Sequence, residues 1–162
     1  MKNLFLIGFM GAGKSSVSAG LGRMLGREVV EMDQRIAAQE GMSIPELFAQ
    51  KGEPYFRACE TALLKSFAQG APRIVSCGGG VPLREENVVA MRESGTVVLL
   101  LERVKDSEER PRLQGHKDVS YIAVLMEQRR PRYEAAADIT VDTSQLNIEE
   151  VCRQVLRQVT ER

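Results

Sequence analysis

Lys14 and Ser15 close a glycine-punctuated run, Gly8-Phe9-Met10-Gly11-Ala12-Gly13-Lys14-Ser15, that suits one chemistry above all. Glycines let the main chain curl around anionic oxygens with its N–H groups turned inward. A helix opening at the same point adds the positive end of its dipole. The Lys14 ammonium then reaches the outer phosphates of ATP, and the Ser15 hydroxyl is placed to ligate Mg²⁺. The run matches G-x-x-x-x-G-K-[ST] without a mismatch, directly after an apolar stretch and before a helical pattern, as this motif requires. Gly11, Ala12, Gly13, Lys14, Ser15 and Ser16 are the candidate nucleotide-binding residues. The motif identifies the phosphate donor and leaves the acceptor open.

Four further groups bear on the acceptor. Glu31 and Asp33 follow a short apolar run. One carboxylate could organise Mg²⁺ through water and the other could accept a hydrogen bond from an attacking hydroxyl, although acidic residues in such places also serve as helix caps. Arg57 and Glu60 are three apart in a helical pattern, a spacing that lets the carboxylate orient a guanidinium fork suited to a substrate carboxylate, or makes a plain surface ion pair. Ser76-Cys77-Gly78-Gly79-Gly80 carries three consecutive glycines, which points to close backbone approach to a ligand. Ser76 stands where many phosphate-loop proteins carry an acidic residue that organises Mg²⁺. Arg129 lies four before Tyr133, and Arg110 lies in a charged segment where an arginine could close over phosphates during transfer.

These groups need a scaffold. Asn3 to Ile7 reads as a strand buried on both faces. Val29–Val30, Arg73 to Cys77, Thr96 to Leu101 and Ile139 to Val141 supply four more strands. Helical patterns fall between them, including one opening at the capping-box sequence Ser43-Ile44-Pro45-Glu46, one from about Pro54 to Ala68, one over Arg84 to Glu93 and one over Tyr121 to Glu134 with a break near Pro131. Asn147 and Glu150 should cap a last helix with Ile148, Val151, Val155 and Val159 on its apolar face. Strands alternating with helices predict a three-layer α/β/α domain, residues 1–162, around a five-stranded parallel sheet. Ligands of such sheets gather beyond the carboxyl ends of the strands. By position alone, residues 142–147 form a reasonable adenine loop.

Composition narrows the partners. Lys+Arg and Asp+Glu number 22 each, so no basic footprint for nucleic acid is present. Three widely spaced cysteines without a C-x-x-C pair argue against a disulfide framework or a zinc site, and one histidine, His116, rules out His-rich metal sites. The apolar run from Leu4 to Met10 is too short for a signal peptide or a membrane span. A cytoplasmic protein is expected.

Taken in order, GFMGAGKSS, the acidic pair, F-x-x-x-G-E-x-x-F-R-x-x-E, S-x-G-G-G, an Arg-Pro lid and R-x-P-x-Y resemble the shikimate kinase family over almost the whole chain, from Asn3 to about Asp142. The resemblance implies a phosphate-loop fold like that of the nucleoside monophosphate kinases. It implies a monomer that moves the ATP γ-phosphate to the 3-hydroxyl of shikimate in aromatic amino-acid biosynthesis, with Mg²⁺ as cofactor. It implies that Asp33 holds the shikimate hydroxyls and positions or deprotonates the attacking one. Arg57 and Arg129 would clamp the carboxylate, the Gly79 N–H would bind a hydroxyl, and Arg110 would touch nucleotide and transferring phosphate. Lys14, Asp33 and Arg110 are then the catalytic residues, Ser15 and Glu31 the metal-side residues. Residues 33–61 would form a substrate-binding helical segment and residues 108–120 a mobile lid.

Three departures stand out: Glu31 replaces the usual aspartate, Arg112 replaces the usual leucine of the lid, and the approach to Arg110 is shorter by about two helical turns. Two other readings stay open at this point. One is a related kinase for gluconate or a nucleoside monophosphate. The other is a non-catalytic nucleotide-binding protein.

Overall fold

All six residues of β1, Asn3–Gly8, are buried, and their alternation divides the interior in two. Phe5 and Ile7 point into one core, with Ile36, Leu47, Phe56, Leu64, Met91 and Tyr133. Leu4 and Leu6 point into the other, with Val17, Leu21, Val151, Cys152 and Val155. A strand with both faces covered must be apolar at every position, which is why NLFLI lacks the polar alternation of a half-exposed strand. Each fully buried Leu, Ile or Phe here contributes about 1.5–3 kcal/mol.

The computed structural model describes residues 2–9, 13–101 and 128–161. After β1 come α1 (Lys14–Leu25), β2 (Val29–Glu31), α2 (Met32–Glu40), α3 (Ile44–Lys51), α4 (Glu53–Ser66) and β3 (Ile74–Ser76). A short 3-10 turn (Val81–Leu83), α5 (Glu85–Ser94) and β4 (Gly95–Leu101) follow. The described part of α6 covers residues 128–136. β5 (Ile139–Asp142) and α7 (Ile148–Thr160) complete the order. The five strands pair in parallel in the order β2-β3-β1-β4-β5. Helices α1 and α7 cover one face, and α2 to α6 the other. This is the expected three-layer α/β/α domain with a five-stranded parallel sheet.

Local signals account for the boundaries. Ser43 accepts a hydrogen bond from the Glu46 N–H at 3.2 Å, and its hydroxyl donates to the Glu46 carboxylate at 3.0 Å, so only half of the expected capping box forms at α3. At α7 both halves form, with Glu150 N–H to Asn147 at 2.8 Å and Asn147 N–H to Glu150 at 3.1 Å. Gly52, at φ 84°, ends α3 and admits α4 with no intervening loop, a conformation that costs glycine little.

Three expectations change. The run Glu31-Met32-Asp33 does not simply end a strand: Glu31 ends β2, and Asp33 lies in the first turn of α2. The helix near residue 131 is unbroken, since residues 128–136 are helical through Pro131. Of the expected apolar face of α7, Ile148 is 40% exposed and Cys152 is buried instead.

Candidate functional site

The carboxyl ends of β1 and β3 are tied together by one side chain. Lys14, the first residue of α1, donates to the Gly8 carbonyl at 2.7 Å and to the Cys77 carbonyl at 3.1 Å. Burial lowers its pKa, while the Asp33 and Glu31 carboxylates pull it back up. The opposite holds for Cys77, whose thiol is pushed up to about 12 by burial, with Lys14 opposing. That cysteine is therefore a protonated packing residue. Gly13, at φ 84°, turns the chain into α1 in the left-handed region, which only glycine adopts at no steric cost. The described part of the phosphate loop stands beside α7, because a Cβ on Gly13 would meet Ile148 at 3.6 Å.

The residues expected to bind the acceptor converge on the three glycines after β3. None of the three has a positive φ, so backbone conformation does not demand glycine there. Space does. A Cβ at Gly78 would lie 3.2 Å from Asp33 Oδ1 and 3.3 Å from Glu60 Oε2. At Gly79 it would meet Arg129 Nη1 and the Tyr133 hydroxyl, each at 3.5 Å. At Gly80 it would lie 2.4 Å from Arg57 Nη1. Each glycine is thus faced by a different part of the expected acceptor set.

Arg57 is held on two sides. Its Nη1 donates to Glu60 at 2.8 Å, while Nε and Nη2 donate to Glu53 at 3.3 and 3.2 Å. Glu60 is 1% exposed, so the surface-pair reading of Arg57 and Glu60 does not hold. Burial pushes the Glu60 carboxyl up, and the hydrogen bond and charge of Arg57 pull it back. Of the five guanidinium protons, Glu53 and Glu60 engage three, which leaves two for a further acceptor. Burial likewise raises the Asp33 carboxyl, against the pull of Lys14 and Arg57. Glu31 stands at the N-cap position of α2, as the capping alternative expects, but its side chain makes no cap hydrogen bond.

Several contacts are absent from the sequence reading. Tyr133 is 4% exposed and donates to the Gly79 carbonyl at 2.6 Å, with its ring 6.4 Å from that of Phe9. On the opposite side, Thr61 donates to Asn87 at 2.6 Å, and Asn87 donates to the Val81 carbonyl at 3.0 Å, pinning α4 to the turn after the glycines. Glu53 and Tyr133 each carry a sequence signal, as the first glutamate of F-x-x-x-G-E-x-x-F-R-x-x-E and the tyrosine of R-x-P-x-Y, but neither signal names a partner.

The structure therefore brings together Lys14, Glu31, Asp33, Arg57, Gly79 and Arg129 at the carboxyl end of the sheet. Ser15 and Ser16 are exposed in the first turn of α1. Gly11, Ala12, Arg110 and the expected lid, residues 108–120, lie outside the described residues, as do Arg112 and His116. Ser76 is buried at the end of β3.

A family model described as shikimate kinase matches residues 10–160 of this chain. The shikimate kinase of Dehalococcoides mccartyi is 40% identical over 161 residues, covering 94% of this chain and 90% of its own length. The Aquifex aeolicus shikimate kinase is 39% identical over 160 residues, covering 94% and 93%. Among solved structures, shikimate kinase from Acinetobacter baumannii in complex with shikimate superposes with a TM-score of 0.86 at 29% identity, over 99% of this chain and 94% of that one. A gluconokinase from Sinorhizobium meliloti, at 19% identity and a TM-score of 0.60, shares the fold alone. With the residues of that motif series converging on one turn, the chain belongs to the shikimate kinase family.

Proposed function

We propose that this chain transfers the γ-phosphate of ATP to the 3-hydroxyl of shikimate at the crevice between β1 and β3. The observation that carries the reading is the convergence of Lys14, Asp33 and Arg57 on the triple-glycine turn beside the phosphate loop. Arg57 and Arg129 clamp the substrate carboxylate, and the Gly79 N–H takes a ring hydroxyl. Asp33 accepts the proton of the attacking hydroxyl as its oxygen bonds to the γ-phosphorus and the bond to the ADP oxygen breaks. A carboxylate with a raised pKa is a stronger base, which suits that role. Lys14 exchanges its two carbonyl partners for phosphate oxygens, and Arg110 joins it there. Alignment and charge stabilisation supply most of the rate.

Ser15 and Glu31 would hold Mg²⁺. A hydroxyl and a carboxylate without a capping bond are hard oxygen donors of the kind this ion takes. No cluster of three or more His, Cys, Asp or Glu that could hold a metal exists among the described residues, which fits an ion bound mainly through phosphates and water. When bound, Mg²⁺ neutralises charge on the transferring phosphate. Residues 33–61, seen as α2, α3 and most of α4, form the acceptor-binding segment, and residues 108–120 the lid of a cytoplasmic monomer. No helix of the described residues is long and apolar enough to cross a membrane.

The test is ADP release from ATP–Mg²⁺ with and without shikimate, followed by competition among shikimate, gluconate and nucleoside monophosphates. Shikimate-dependent release with preference for shikimate supports the proposal. Preference for another acceptor, or ATP binding without turnover, overturns it.

A further inference from the structure

The three glycines have no side chains with which to hold their own peptide planes, so something else must. Two bonds arise within the loop: the Val81 N–H donates to the Gly78 carbonyl and the Leu83 N–H to the Gly80 carbonyl, each at 3.2 Å. In a trans peptide the N–H points opposite to the carbonyl. Pulling the Gly78 carbonyl toward Val81 therefore turns the Gly79 N–H away from the loop, and that N–H has no partner among the described residues. The next plane, Gly79–Gly80, is fixed from outside by the phenol of Tyr133, which donates to the Gly79 carbonyl at 2.6 Å.

Tyr133 is well placed to act as a strut. It is 4% exposed, its ring packs against Phe9 of the phosphate loop, and it lies one helical turn after Arg129 on α6. Arg129 Nη1 and the Tyr133 hydroxyl flank the same face of Gly79 at equal distance. The phenol remains a donor at neutral pH, because burial raises its pKa despite the neighbouring Arg129.

We infer that Tyr133 is a positioning residue for acceptor binding. Its hydroxyl holds the Gly79–Gly80 plane, as the Val81 N–H holds the Gly78–Gly79 plane that carries the Gly79 N–H; with the planes on both sides of the Gly79 Cα fixed, that N–H and the Arg129 guanidinium address one ligand together. The inference rests on the proposed shikimate site. It assigns to the tyrosine of R-x-P-x-Y an effect on the acceptor side and none on the nucleotide side.

Tyr133→Phe keeps the ring and its packing and removes only the donor, leaving the half-buried Gly79 carbonyl without it. A lost hydrogen bond of this kind should raise the shikimate KM about 3- to 10-fold. The ATP KM should stay within about twofold of wild type, as should kcat at saturating shikimate. Shikimate affinity measured calorimetrically without nucleotide should fall by the same factor. A purely structural role would lower the melting temperature and shift both KM values together, which would overturn the assignment. So would an unchanged shikimate KM in Tyr133→Phe, or a variant that no longer melts cooperatively. Wild-type protein assayed alongside separates the two readings: if it shows no shikimate-dependent turnover, the proposed function fails first.

Discussion

Gly80→Ala isolates the steric role of the triple glycine. Gly80 has φ −85° and ψ −11°, a conformation alanine adopts freely. The backbone therefore gains, by about 0.4–1 kcal/mol, from the smaller entropy of the unfolded chain. The new methyl, however, would stand 2.4 Å from Arg57 Nη1, 2.8 Å from Cζ and 3.0 Å from Nη2. Restoring ordinary contact at about 3.5 Å requires the guanidinium to move roughly 1 Å. That displacement is enough to break the 2.8 Å bond to Glu60, whose carboxylate is buried against Gly78 and cannot follow. A misplaced charged hydrogen-bond donor costs about 1.5–3 kcal/mol, equivalent to a loss of about 10- to 100-fold in kcat/KM for shikimate. The ATP KM should hold, while the melting temperature should fall, because the buried Glu60 carboxylate loses its Arg57 partner. Steady-state kinetics with each substrate varied in turn reads both effects. The decisive control is the Arg57→Ala background, where Gly80→Ala should add no further loss. A Gly80→Ala enzyme within threefold of wild type, or the same added loss without Arg57, would refute the reasoning.

Lys14→Ala should remove nearly all turnover, assayed by ADP release, while the circular dichroism spectrum stays that of the wild type; retained activity would take the phosphate loop out of the mechanism. Asp33→Asn should lower kcat far more than about threefold, a change worth well under 1 kcal/mol of barrier. Because burial raises the Asp33 pKa in the folded state, ionisation of this carboxylate opposes folding above that value. Asp33→Asn should therefore melt higher than wild type at pH 7 in the absence of ligand. The difference should shrink as pH falls from the folded-state value through the ordinary aspartate value of about 3.9, below which both states of wild type are protonated. Melting curves across that range check the sign. The Cys77 thiol, pushed up to about 12, should resist a thiol reagent at pH 8 in the native protein and react once unfolded, as mass spectrometry of the labelled peptides would show.

Much of this was legible in the chain. NLFLI announced a strand buried on both faces because such a strand has no polar position to spare, and Asn147 with Glu150 announced the start of α7 because the capping bonds are local. The phosphate loop is likewise a local motif, in which glycine spacing, lysine and hydroxyl carry the chemistry whatever surrounds them. The fold class followed from the alternation of such pieces.

The partners within the site were not legible. The pairing of Glu60 with Arg57 could be read from their spacing, but not its burial, since an i,i+3 spacing reads the same on a buried or an exposed face; that depends on where α4 packs. The glycines promised close approach without saying of what, and the answer came from three distant segments, carrying Asp33, Arg57 and Arg129. Tyr133 and Gly79 are 54 residues apart, as are the Thr61 and Asn87 side chains by 26, and no periodicity encodes such pairs. Short-range chemistry is written in spacing along the chain. The aim of a side chain across the crevice is settled only when helices and strands exclude water and lock into one arrangement.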